Sequence, residues 1–183
     1  MKKSKNVLKA FLGLAFLVGS NLFAQTTEKF STEMSGKTNI VEYALGSREH
    51  TTLVSALKAA NLVETLVGAG PFTVFAPTND AFNKVPKETL ASLLQPENKE
   101  KLQSILTCHV ISGKFDSKAI AEAIKEGSGT ATFVTVQGAK ISGSFVGKKL
   151  VLTDNTGAKI NVTTADLNQT NGIIHVVDSV IMP

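Results

Sequence analysis

The chain has 183 residues, with 19 Lys and Arg, 15 Asp and Glu, and one cysteine. Residues 1–24 hold Lys2, Lys3, Lys5 and Lys9 and no acid, so 15 basic and 15 acidic residues remain from Gln25 onward and the excess positive charge vanishes. That balance excludes the clustered charge on which nucleic-acid binding depends, and the lone Cys108 excludes an internal disulfide.

The N-terminal segment reads as a secretory signal peptide. MKKSKNVLK is basic, AFLGLAFLV is an uninterrupted apolar run, and GSNLFA offers Ala24 as the last residue before cleavage. The apolar run is shorter than the ~20 residues a membrane span needs. The expectation is therefore an exported chain with no membrane span after cleavage, secreted or periplasmic and of bacterial type. Residues 25–38, QTTEKFSTEMSGKT, are polar and aperiodic and read as a linker. One domain is expected over residues 39–183.

The first half of that domain has helical texture. Leu53, Leu57 and Ala60 form one face, and Leu62, Val63, Leu66 and Val67 start a second that Gly68 and Gly70 stop. Further on, Phe72-Thr73-Val74-Phe75 reads as a short strand that Pro77 ends. Thr78-Asn79-Asp80 follows, with Thr78 as N-cap and Asp80 in the first turn of a helix. A hydroxyl, an amide and a carboxylate side by side invite a catalytic reading. No His or Lys lies within that stretch to serve as a base, so capping is the better account. Pro96 opens another helix with Leu102, Ile105 and Leu106 inward, and Asp116 caps a third with Ile120 and Ile124 inward and Gly127 as its stop.

After Gly129 the residues become β-branched. Gln137-Gly138, Val146-Gly147 and Asn155-Thr156-Gly157 punctuate a series of short strands. The final stretch, NGIIHVVDSVIMP, is apolar on both alternating faces. Ile174, Val176, Val180 and Met182 lie on one, Ile173, Val177 and Ile181 on the other, as in a covered central strand.

Three segments together are similar to the fasciclin domain family: GPFTVFAPTNDAF (residues 70–82), LTCHVISGKF (106–115) and NGIIHVVDSVIMP (171–183), with TTLVSALKAANLVETL resembling the helix that precedes the first. The resemblance runs from about Asn39 to Pro183. It implies an α+β fold, a wedge with a β-sandwich-like core of short strands and several packed helices. Thr78, Asn79, Asp80, His109, Asn171, Gly172 and His175 are then its structural motif residues. The resemblance also implies cell adhesion, or binding of a cell-surface protein or polysaccharide, without catalysis. The binding residues that carry over are His109 and the acidic–apolar pair Asp166-Leu167. In the family a tyrosine commonly precedes the central histidine, and a tyrosine–histidine pair is linked to receptor binding in animal members; here Cys108 stands in that place.

His50, His109 and His175 lack zinc spacing, so no metal or other cofactor is expected. His109 and His175, both read as strand residues, are expected to be buried, neutral and hydrogen-bonded. No nucleophile elbow or phosphate loop is present. The alternative function is a periplasmic small-ligand-binding or thiol-dependent protein using Cys108. That thiol is read as beginning a strand, buried between Leu106 and Val110 on one face and inert. Hydrolase activity ranks last.

Overall fold

The computed structural model describes residues 36–68 and 70–183. The expectations for a signal peptide over residues 1–24 and for all but the end of the linker concern residues outside these. The end of the linker is tied to the domain: the Gly36 N–H donates to the Asn168 carbonyl at 2.6 Å, and the Thr170 N–H to the Thr38 carbonyl at 2.9 Å.

Asn39 opens the first helix, α1 (Ile40–Gly46), through a reciprocal cap. The Glu42 N–H donates to Asn39 Oδ1 and the Asn39 N–H to Glu42 Oε2, both at 2.9 Å. Helices α2 (Thr51–Ala59) and α3 (Val63–Val67) follow, with Leu53, Leu57, Ala60 and Leu66 buried as their spacing predicts. Val67, expected on the inward face, is exposed because the helix stops there and Gly68 turns the chain away. Strand β1 (Phe72–Pro77) leads into α4 (Asn79–Asn83), α5 (Lys87–Leu93) and α6 (Lys99–Cys108), and Pro96 opens a short 3-10 turn ahead of α6. After β2 (Val110–Ser112) comes α7 (Ser117–Glu126), capped by Asp116, which accepts from the Ala119 N–H at 2.7 Å. The remaining strands are β3 (Thr130–Val134), β4 (Lys140–Val146), β5 (Lys149–Thr153), β6 (Lys159–Gln169) and β7 (Gly172–Val177).

The strands make one sheet in the order β2-β1-β7-β6-β5-β4-β3. Only β1 and β7 run parallel. The sheet curls until its edges meet. Ile111 of β2 bridges Thr135, just after β3, and the Val136 N–H donates to the Val110 carbonyl at 2.8 Å. Curling gives the sheet an inside and an outside, which explains the doubly apolar last strand. Val177 shares the inner core with Phe75, Ile111, Phe133, Ile141, Leu152 and Ile160, and Ile173, on the same face of the strand, is fully buried. Ile174 and Val176 face outward into a second core with Val74, Leu53, Leu57, Leu102 and Leu106 of the helices. Every residue of β7 is buried.

Two local expectations need correction. The last strand stops at Val177, and the tail beyond it is held by side chains instead of a strand ladder. The Ile181 N–H donates to His109 Nε2 at 2.9 Å and the Met182 N–H to Asp154 Oδ2 at 3.1 Å. Cys108 and His109 are also not strand residues. Helix α6 continues through Cys108, His109 caps its C-terminus in a helical conformation, and β2 begins only at Val110.

Candidate functional site

The Thr78-Asn79-Asp80 cluster is a joint between helices. Thr78 Oγ1 accepts from the Ala81 N–H at 3.2 Å and caps α4. Asn79 serves a different helix from its own. Its Oδ1 accepts from the Thr52 N–H (3.0 Å) and the Thr51 hydroxyl (3.1 Å) at the start of α2, while its Nδ2 donates to the Arg48 carbonyl (2.9 Å). Asp80 is exposed in the first turn of α4, where the helix dipole favours a carboxylate.

Asn171 and Gly172 make a second joint. Asn171 Oδ1 accepts from the Ile40 N–H (3.0 Å), and Nδ2 donates to the Leu66 carbonyl (2.7 Å), so one amide closes the start of α1 and the end of α3. Gly172 is required by close packing: an added Cβ would lie 2.1 Å from the Phe72 carbonyl oxygen and 2.9 Å from Ile40 Cδ1.

All three histidines are buried. His109 Nδ1 donates to the Ile105 carbonyl at 2.8 Å while Nε2 accepts from Ile181, which defines one neutral tautomer. Burial lowers its pKa to about 4, against a small upward pull from the Ile105 carbonyl. His175 has the opposite tautomer. Its Nε2 donates to the Phe115 carbonyl at 2.8 Å, Nδ1 accepts from the Asp166 N–H at 3.4 Å, and the ring stacks on Phe75 at 5.6 Å. Burial lowers its pKa too. In His50, Nδ1 pairs with the Ser47 hydroxyl at 2.8 Å and Nε2 is buried without a partner in good hydrogen-bond geometry; burial takes its pKa to about 4, against an upward pull from the Ala76 backbone.

The Asp166-Leu167 pair sits in a bulge of β6, where Ala165 and Asp166 oppose the single residue His175. Asp166 adopts φ +64°. Its carboxylate receives the Ser117 N–H at 2.6 Å and, through the second oxygen, the Ser117 hydroxyl, so it holds the first turn of α7. Leu167 points into the outer core and is buried. A pair offered as a recognition element is therefore engaged inside its own domain. Ser117, Asp166 and His175 lie together but do not form a nucleophilic triad. The serine donates straight to the carboxylate, and both histidine nitrogens are committed to backbone groups.

Cys108 is completely buried, and burial pushes its thiol pKa up, opposed by the Thr135 side chain. That is the reverse of a reactive thiol. Among the described residues no group of three or more His, Cys, Asp or Glu is placed to hold a metal ion, and no helix is long and apolar enough to cross a membrane.

The residues that remain available are ones the sequence reading did not single out. A cleft of about 540 Å³ lies where the β4–β5 hairpin, β6 and the start of α7 meet. Phe145, Lys148 and Lys149 are its exposed rim, Leu150 and Val162 its apolar lining, and Ser117 and Asp178 stand at its wall. The available signal was SFVGKKL: Phe145 follows the strand alternation yet stands at the end of β4, beside a Gly147 turn, where the inner core gives out.

This curled sheet has most of its helices packed on its outside and α7 set against its inner core through Ile120 and Ile124, with interlocking asparagine joints and a buried histidine clamp on its C-terminal tail. The chain belongs to the fasciclin domain family, whose model matches residues 48–183. It is 44% identical over 167 residues to protein sll1483 of Synechocystis sp., covering 87% of this chain and 83% of that one. Immunogenic protein MPB70 of Mycobacterium bovis is 32% identical over 165 residues, 87% of this chain and 77% of that one. Human periostin is 33% identical over 136 residues, 74% of this chain but 15% of periostin. Among solved structures, the FAS1 domain pair of the insect cell adhesion molecule fasciclin I superposes with a TM-score of 0.72 at 21% identity, over 81% of this chain and 52% of that one, which confirms the α+β fold.

Proposed function

We propose that the protein is an exported, non-catalytic binding module of the adhesion type, which engages a cell-surface protein or polysaccharide after residues 1–24 are removed. One observation carries the reading. Apart from the exposed Asp80, the polar residues of the family motifs are engaged in hydrogen bonds within the domain, while the hairpin end presents an exposed cleft of about 540 Å³. Rigid scaffolds that carry recognition on loops and strand ends follow this pattern. Family membership supports the adhesion class, since one solved relative is an insect cell adhesion molecule.

On this reading His109 and Asp166 contribute to binding by position. His109 fixes the tail and Asp166 fixes Ser117 at the cleft wall. Leu167 contributes by anchoring β6 in the core. A thiol-dependent role has less support, given the burial of Cys108.

The test is retention of fractionated envelope proteins and surface polysaccharide from the host on beads carrying the exported form, beside beads carrying an unrelated domain. Specific retention of one fraction supports the reading. Failure to retain any fraction argues against it.

A further inference from the structure

The cleft has the chemistry of an acidic-sugar site. Phe145 and Leu150 are register partners across β4 and β5, so their side chains share one face. Leu150 is buried as floor, while Phe145 is 44% exposed as rim. An exposed aromatic ring beside an apolar floor suits a ligand with one flat, weakly apolar face, such as the C–H face of a pyranose.

The charges at the cleft point the same way. Asp178 lines it, but its carboxylate is already engaged: Oδ1 accepts from the Asn161 N–H at 2.9 Å, Oδ2 from Asn161 Nδ2 at 2.8 Å, and Lys84 Nζ lies 3.5 Å away. The neighbouring Asp166 is taken by Ser117. The Gly147 turn, at φ +65°, projects Lys148 and Lys149 to the rim, and neither has a carboxylate within 4 Å among the described residues. The cleft thus offers two ammonium groups without a carboxylate partner and one ring, while the Ser117 and Thr163 hydroxyls in its wall already donate to Asp166 and to the Val176 carbonyl. Bidentate recognition of a carboxylate or a phosphate needs the planar fork of arginine. The chain's single arginine, Arg48, lies in the turn before α2, away from the cleft. Lysines act as point charges, so the cleft suits anionic groups spaced along a polymer and held without a bidentate fork.

We infer that the Phe145–Lys148–Lys149 cleft binds a uronic-acid-bearing polysaccharide, with the ring stacking on a sugar face and the lysines meeting its carboxylates. The inference rests on the binding-module reading and names the ligand class.

The experiment is calorimetric titration of the protein, produced from its full coding sequence, with oligogalacturonate, a neutral cello-oligosaccharide and dextran sulfate. It is repeated for F145A and for K148Q/K149Q, whose melting temperatures verify folding. The expected result is binding of oligogalacturonate in preference to the neutral sugar, weakening as salt is added. F145A should bind about tenfold more weakly with the salt dependence kept, in line with loss of an aromatic anchor. K148Q/K149Q should lose about tenfold or more together with most of the salt dependence. No binding of oligogalacturonate overturns the inference, as does binding unchanged in both variants. Equal binding of dextran sulfate with F145A indistinguishable from wild type also overturns it, because that is simple cation attraction. Retention of host envelope material that survives in both variants sinks the cleft and leaves the binding module standing, whereas a wild-type protein that retains nothing removes both.

Discussion

His109 Nε2 accepts a hydrogen bond from the Ile181 N–H at 2.9 Å, joining the end of α6 to the C-terminal tail across 72 residues of sequence. The other ring nitrogen donates to Ile105 at 2.8 Å, so one imidazole satisfies two buried backbone groups. His109→Ala would leave both unpaired beside a new void. The expected loss is roughly 4 kcal/mol, from two orphaned polar groups and a cavity. Equilibrium urea unfolding checks it. A variant as stable as wild type would show that the tail does not depend on this clamp, and would free His109 for a direct role in binding.

Burial of neutral histidines makes stability depend on pH. An unfolded histidine titrates near 6.5, and His50 and His109 titrate near 4 when folded. Below 6.5 the unfolded chain therefore binds more protons than the native one, and stability falls as pH falls. Each of these two contributes about 3 kcal/mol that is present above pH 6.5 and lost on the way down to 4. His175 is shifted the same way and adds to the slope. For Asp178 burial raises the pKa, but Asn161 and Lys84 outweigh it, and the net shift is downward from 3.8. Its contribution is lost only at lower pH still. Melting temperature should be flat from pH 8 to 7 and drop steeply between 6 and 4. A flat profile through pH 5 would mean that the rings are solvated in solution.

Asn171 and Gly172 make adjacent residues sensitive for different reasons. Asn171→Ala removes acceptor and donor from the ends of two helices, and about 2–3 kcal/mol of stability should go with them. Asn171→Asp keeps the acceptor toward Ile40 and loses the donor toward Leu66, so its cost should be intermediate. Gly172→Ala forces a methyl to within 2.1 Å of the Phe72 oxygen, which β1 and β7 can relieve only by separating. That variant should be the most damaging of the three. Ranking them by urea midpoint tests the order.

The fold was legible where one residue's neighbours in sequence are also its neighbours in space. Helix faces, the Thr78 and Asp116 caps and the glycine turns all follow local rules and lie where the spacing puts them. Hidden from such rules were contacts between distant segments. Asn79 looks like a first-turn residue, yet it caps α2 across 27 residues. Cys108 and His109 sit at a helix-to-strand joint where apolar residues suit either state, and only the Ile105 and Ile181 contacts determine the geometry. The cleft was hidden for the same reason: Phe145, Ser117 and Asp178 come together only after the sheet curls.

Cys108 offers a direct check on the buried core. With the side chain fully buried and the thiol pKa raised by burial, a thiol reagent should react only through opening of the α6–β2 joint. Labelling at pH 8 should take many hours in native buffer and seconds in strong denaturant. Rapid native labelling would show an exposed thiolate and restore the thiol-dependent reading.

Asp166 separates strain from hydrogen bonding. Its φ of +64° is left-handed, which Asn and Gly adopt more easily than Ala. Its carboxylate also holds both donors of Ser117 at the start of α7. Asp166→Ala loses these bonds and keeps the strain, and should cost roughly 2 kcal/mol. Asp166→Gly loses the same bonds but relieves the backbone, so it should be more stable than the alanine variant by about 1 kcal/mol. Asp166→Asn keeps the conformation and one acceptor, and should stay closest to wild type. Thermal unfolding of the three ranks them Asn, Gly, Ala. If Ala and Gly melt together, the bulge relaxes on substitution and the carboxylate alone is what matters; if Asn falls below both, the negative charge at the first turn of α7 outweighs conformation.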